Sequence, residues 1–174
     1  MNYKAVINED NIALLNETIE LINTLSKDSY TQKLLLIQAD TPGAHVRHII
    51  EHYELFLEGL LSGEINYDAR KRNLLLSSEP QEAIAKIMQI VSQLNGITRD
   101  DLGRLINVKM DTGKVCDQAR TSVARELQFL WSHHVHHNAI IRMILESSGL
   151  SCHKDFGVAA STAKYQGNQN QCAR

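Results

Sequence analysis

The sequence predicts an all-α protein, a bundle of about four helices, and three observations carry that expectation. Only two prolines occur among 174 residues, so long stretches are free of the residue that removes an N–H and clashes with the preceding turn. Apolar residues recur at helical rather than alternating spacing over four segments. The composition, 43% hydrophobic and 22% charged, is that of an ordinary globular domain. A chain of this length buries roughly 70% of the surface its unfolded form exposes, enough to fold without disulfides or a metal staple.

The first helix is expected from about Asn8 to Lys27, on Ile12, Leu14, Leu15, Ile19, Leu21, Ile22 and Leu25. The second opens after Thr41-Pro42, where proline suits the first turn, and runs to about Leu61 before Ser62-Gly63 stops it. Val46, Ile49, Ile50, Tyr53, Phe56, Leu57 and Leu60 form its apolar stripe, with Arg47, Glu51, Glu54 and Glu58 opposite. The third begins at Ser78-Glu79-Pro80 and carries Ile84, Ile87, Met88, Val91 and Leu94 up to Asn95-Gly96. Between Leu105 and Asp117, the alternating run Ile106-Asn107-Val108-Lys109-Met110 followed by Asp111-Thr112-Gly113 reads as a small β-hairpin. The fourth helix is expected from about Gln118 to Ser148, closed by Gly149, and at about 45 Å it is the spine of the bundle. The chain reads as one domain over residues 1–165, with 166–174 a frayed tail.

Composition also narrows function. A net charge of −2, from 18 basic and 20 acidic residues, lacks the footprint of a nucleic-acid binder. No apolar run reaches the 18 or so residues of a membrane span, and the opening MNYKAVINEDN has no secretory layout, so a cytoplasmic protein without a membrane partner is expected. Cys116, Cys152 and Cys172 are odd in number and far apart, which fits free thiols rather than a disulfide framework or a CxxC site.

The eight histidines carry most of the chemical information. His45, His48 and His52 lie on the second helix, His133, His134, His136 and His137 on the fourth, and His153 stands alone in the tail. His133 and His137 are one turn apart and project within about 40° of each other. On the helical wheel they share a stripe with Leu130, Ile140, Ile141 and Ile144, which turns the pair toward the core, whereas His136 points away and His134 sits at the edge. Neutral imidazoles turned inward need partners for their nitrogens, and one divalent metal ion supplies them. His45, His48 and His52, at i, i+3 and i+7, flank the apolar stripe of the second helix, and one of them is expected to complete the set. Two ligands from one helix and one from another leave coordination positions open, as in catalytic rather than structural sites. Glu126, seven residues before His133, is a candidate general base or outer partner, with an ion pair to Arg125 or Arg47 as the plainer alternative. Tyr67, Asp68, Arg70 and Arg72 follow the second helix and are candidates to orient an anionic cofactor or substrate, with a solvated loop of local ion pairs as the plainer alternative. A di-iron site is discounted, because it needs several inward carboxylates and paired ExxH motifs.

The residues Gly43-Ala44-His45-Val46-Arg47-His48-Ile49-Ile50-Glu51-His52-Tyr53, the segment Asn66-Tyr67-Asp68-Ala69-Arg70-Lys71-Arg72, the run Arg125-Glu126-Leu127-Gln128-Phe129-Leu130-Trp131-Ser132-His133-His134-Val135-His136-His137 and the closing Asp155-Phe156-Gly157-Val158-Ala159-Ala160-Ser161-Thr162 resemble the DinB-like superfamily over most of the chain. The resemblance implies an up-down-down-up four-helix bundle and a metal triad of one second-helix histidine with the HxxxH pair of the last helix. It favours His48, with His133 and His137, and keeps His52 as the alternative, although the helical wheel places His52 and His45 slightly closer to the apolar stripe. It also implies, by analogy alone, a metal-dependent transferase using a low-molecular-weight thiol, or a hydrolase, acting on a small molecule. Histidine ligands suit zinc or nickel, and also iron or others. A non-catalytic metal-binding or stress-response bundle is the alternative, and a homodimer is expected from the long exposed bundle face.

Overall fold

In the computed structural model the chain forms, in order, α1 (Val6–Thr24), α2 (Lys27–Thr31), α3 (Pro42–Ser62), β1 (Glu64–Asn66), α4 (Leu75–Ser78), α5 (Pro80–Leu94), a 3₁₀ turn (Asp100–Gly103), β2 (Leu105–Asp111), β3 (Cys116–Ser122) and α6 (Val123–Ser147). The structure describes residues 6–33, 40–111, 113 and 116–165. The expected frayed tail, Cys172 and the turn residue Thr112 lie outside them.

Side-chain hydrogen bonds fix the directions of the four long helices. Asn11 near the start of α1 donates to the carbonyl of Leu127 near the start of α6 at 3.0 Å, so these two helices run parallel. Asn8 donates to Leu94 O, at the far end of α5, at 2.7 Å, which sets α5 antiparallel to α1. His48 meets His133 while His45 meets His137, so α3 descends as α6 rises. The order is therefore up, down, down, up. Consecutive parallel helices α3 and α5 need a long return, supplied by residues 63–79, and that segment covers a face of α3.

Local chemistry explains the boundaries. Thr41 caps α3 by accepting from Ala44 N at 3.0 Å, Pro42 occupies the first turn, and Gly63 ends the helix at φ 83, with its N–H on Gly59 O at 2.9 Å. Gly43 allows close packing: a Cβ there would lie 2.3 Å from Ser77 O and 2.5 Å from the Tyr30 ring. Ser122 caps α6 through Arg125 N at 3.3 Å. The core gathers Leu15, Ile22, Tyr53, Phe56, Ile87, Leu127, Leu130, Ile141 and the tail residue Phe156. Among the described residues no helix is long and apolar enough to cross a membrane.

Several expectations need correction. Ser26 caps α2, so the first helix ends at Thr24 rather than Lys27. The hairpin is longer than expected and reaches Ser122, so the last helix begins at Val123, not Gln118. β2 pairs antiparallel with β3 and parallel with β1, a three-residue strand that joins at Glu64↔Asn107 and makes a three-stranded sheet. Glu51, placed on the charged face, is buried, because the 63–79 segment covers it and Asn73 N donates to its carboxylate at 2.8 Å. On α5, Ile90 packs inward while Met88 is 61% exposed.

Candidate metal centre

Because α3 and α6 are antiparallel neighbours, the ladder His45, His48 and His52 faces the pair His133 and His137. His48 Nε2 approaches His133 Nε2 to 2.9 Å. The His48 ring lies 4.4 Å from that of His137, and the His133 and His137 rings are 4.5 Å apart, centroid to centroid. One ligand nitrogen from each of His48, His133 and His137 falls within 4.8 Å of the others. Ligands at 2.0–2.1 Å in a tetrahedron sit about 3.3 Å apart, so small ring rotations bring these three nitrogens around a common ion. The set is all nitrogen, and among the described residues no carboxylate or thiol joins it.

Electrostatics prepares these rings to act as ligands. Burial, and then the neighbouring imidazoles and Arg70, push His48 down to about 3. Burial likewise lowers His133 to about 4 and His137 to about 2. All three are neutral near pH 7 and offer lone pairs instead of protons.

The outer contacts are specific. His45 Nδ1 meets His137 Nδ1 at 3.0 Å, which leaves His137 Nε2 free for the cluster. The other nitrogen of His45, Nε2, is buried with no hydrogen-bond partner among the described residues. His52 stands beside the triad: its Nδ1–H donates to His48 O at 2.8 Å, and its ring lies 4.3 Å from that of His133. Tyr67 stacks on His52 with centroids 5.3 Å apart and donates its hydroxyl to Glu126 at 3.0 Å. Burial and the Glu126 charge raise the Tyr67 phenol, so it stays a donor. Glu126 is buried and, among the described residues, makes no ion pair with Arg47 or Arg125. It sits two turns below His133, and it reaches the cluster's surroundings through Tyr67.

The deepest histidine is a different one. His134 is 1% exposed, with Nε2 at 2.9 Å from the Thr18 hydroxyl and Nδ1 at 3.3 Å from that of Tyr53. Tyr53 gives its own proton to Asn11 Oδ1 at 2.7 Å, so its oxygen accepts from His134. His133 and His137, expected on the core stripe, are half-buried on its flank facing α3. His136 and His153 are exposed.

Two contacts escaped sequence reasoning. Arg70 donates to His48 Nδ1 at 2.5 Å, and no spacing rule links a loop residue to a ring 22 positions earlier. The pairing of His45 with His137 had a signal: His45 and His48 share a flank at i, i+3, so a helix that meets one meets the other.

No family model matches the chain. A stretch of 105 residues, 58% of this chain, is 30% identical to the FK506-binding protein 5 of Rhizopus delemar and spans 27% of that protein's length. Among solved structures, the DinB-like protein YjoA of Bacillus subtilis superimposes with a TM-score of 0.65 and 21% identity, over 85% of this chain and 95% of that one. With its up-down-down-up order established by hydrogen bonds between helices, this chain has the fold of the DinB-like proteins.

Proposed function

We propose that His48, His133 and His137 hold one divalent metal ion, zinc or nickel ahead of iron, and that the site is that of a small-molecule enzyme of thiol-transferase or hydrolase type. The observation that carries this reading is the convergence of three neutral imidazoles from two helices within 4.8 Å. Three protein ligands leave a position open, and the rings are half-buried rather than sealed in the core. That openness favours turnover over a structural staple. When bound, such an ion supplies Lewis acidity that favours the thiolate of a low-molecular-weight thiol or the deprotonation of water.

The chain's own residues have separate tasks. His45 orients His137, much as outer hydrogen bonds fix the ring and tautomer of metal-bound histidines. Tyr67 covers His52 and links it to Glu126, which makes Glu126 a positioning residue in this reading. Elemental analysis of protein purified without a histidine tag tests the metal. One ion per chain is expected, lost in His133→Ala, and a preparation that neither retains nor takes up zinc or nickel contradicts the proposal. Metal-dependent consumption of a thiol with an electrophile, compared with ester hydrolysis, then separates transferase from hydrolase.

A further inference from the structure

We infer that Glu51 is a positioning residue of the triad: its buried carboxylate holds the turn that carries Arg70 and supplies the countercharge that keeps the Arg70 guanidinium against His48. The consequence for a bound ion rests on the metal reading above, whereas the placement of Arg70 does not.

Arg70 donates to His48 Nδ1 from the connection between α3 and α5, at a stretch outside helix and strand. A long side chain on such a stretch keeps one partner only if the backbone beneath it is fixed. Two residues on, Arg72 has φ 53, the left-handed region that is costly for a residue with a Cβ, so the turn is held from outside. The tie is Glu51, whose Oε1 accepts from Asn73 N at 2.8 Å.

The other oxygen of that carboxylate points to the guanidinium. Glu51 is 2% exposed, and its Oε2 is buried with no hydrogen-bond partner among the described residues. A carboxylate at that depth needs a countercharge. Glu51 and Arg70 line one cavity of about 10 Å³, the room of a single water, together with Glu54, Glu58 and Lys71. Glu58 is paired with Lys71 at 2.7 Å and Glu54 with Lys86 at 3.2 Å. Arg47, one turn earlier on α3, reaches Ser77 Oγ at 3.4 Å and is not among the residues that line the cavity. Arg70 is therefore the charge that answers Glu51, across the width of one water. The same carboxylate fixes the backbone of the turn and the direction of its guanidinium, and it offsets a positive charge that stands beside the triad.

The first test uses the metal-free, untagged full-length chain and reads the ring nitrogen chemical shifts of His48, which report its tautomer and the hydrogen bond at Nδ1. Glu51→Gln keeps an acceptor for Asn73 N and removes the charge. It is expected to move the His48 signals toward those of Arg70→Gln, with Glu51→Asp closer to wild type and Glu58→Gln unchanged. Signals that stay at their wild-type values in Glu51→Gln, or that move equally in Glu58→Gln, overturn the role of Glu51. Should Glu51→Gln fail to fold, the side-chain carboxyl carbon of Glu51 decides from the other side: its signal is expected to shift in Arg70→Gln, and an unchanged signal overturns the pairing. The second test is calorimetric nickel titration, read as a double-variant cycle. Glu51→Gln is expected to weaken nickel binding about tenfold, with little further effect in the Arg70→Gln background. An equal loss in both backgrounds means that Glu51 acts without Arg70 and overturns the inference. A wild-type chain that binds no nickel overturns the metal reading, while the His48 shifts still decide the placement.

Discussion

At the scale of single residues, neighbouring histidines on one helix have divided labour. His134 belongs to a core chain running from Asn11 through Tyr53 to Thr18, and His133 and His137 belong to the cluster. Burial holds His134 at about 3, against an ordinary value of 6.5. The unfolded chain therefore binds a proton that the folded chain refuses between those values. This contribution to stability is complete above pH 6.5 and is lost as pH falls toward 3, with a slope of about 1.4 kcal/mol per pH unit for this one group. Urea unfolding of metal-free protein between pH 7 and 4.5 should show His134→Gln with the shallower dependence, and equal slopes would contradict the assignment. The histidine clustering and the HxxxH pair were legible in the sequence. The depth of each ring was not, because α6 packs against both α1 and α3, and its buried arc is centred on Leu127, His134 and Ile141 rather than on a narrow stripe.

At the scale of elements, α3 was readable because Thr41, Pro42 and Gly63 punctuate it, and α5 because Pro80 opens it, although Ser78, expected to cap it, lies in α4 and Glu79 takes the N-cap position with no side-chain capping bond. The start of α6 was not. β3, Cys116–Ser122, has no apolar alternation and takes its conformation from pairing with β2 across the hairpin, a tertiary cause that local pattern does not show. Likewise, α1 buries Asn8, Asn11 and Thr18, whose partners lie on other helices or in the helix's own preceding turn. Gly43, two residues before the histidine ladder, tests the close contact of α3 with Tyr30 and the Ser77 carbonyl. Alanine gains roughly 0.5–1 kcal/mol over glycine in an open helix. Here the added methyl overlaps backbone and ring, and overpacking of about 1–3 kcal/mol is the larger effect. Gly43→Ala is therefore expected to lower the midpoint of chemical unfolding, and an unchanged or raised midpoint would show that the contact is loose.

At the scale of the whole molecule, the apolar core and the His134 chain are built from residues outside the triad. The metal cluster is added at the seam of α3 and α6, where antiparallel packing places two ladders of histidines face to face. The connection from α3 to α5 covers that seam from outside and brings Tyr67 and Arg70 to it. That arrangement separates folding from chemistry, so substitutions in the triad should remove metal with little loss of fold. The most direct measurement is anomalous diffraction at the metal edge from crystals of the untagged, zinc-loaded chain. The account predicts one peak, with imidazole nitrogens of His48, His133 and His137 about 2.0–2.1 Å away and a further position held by solvent. A peak bound by other residues, or none at this seam, would contradict it.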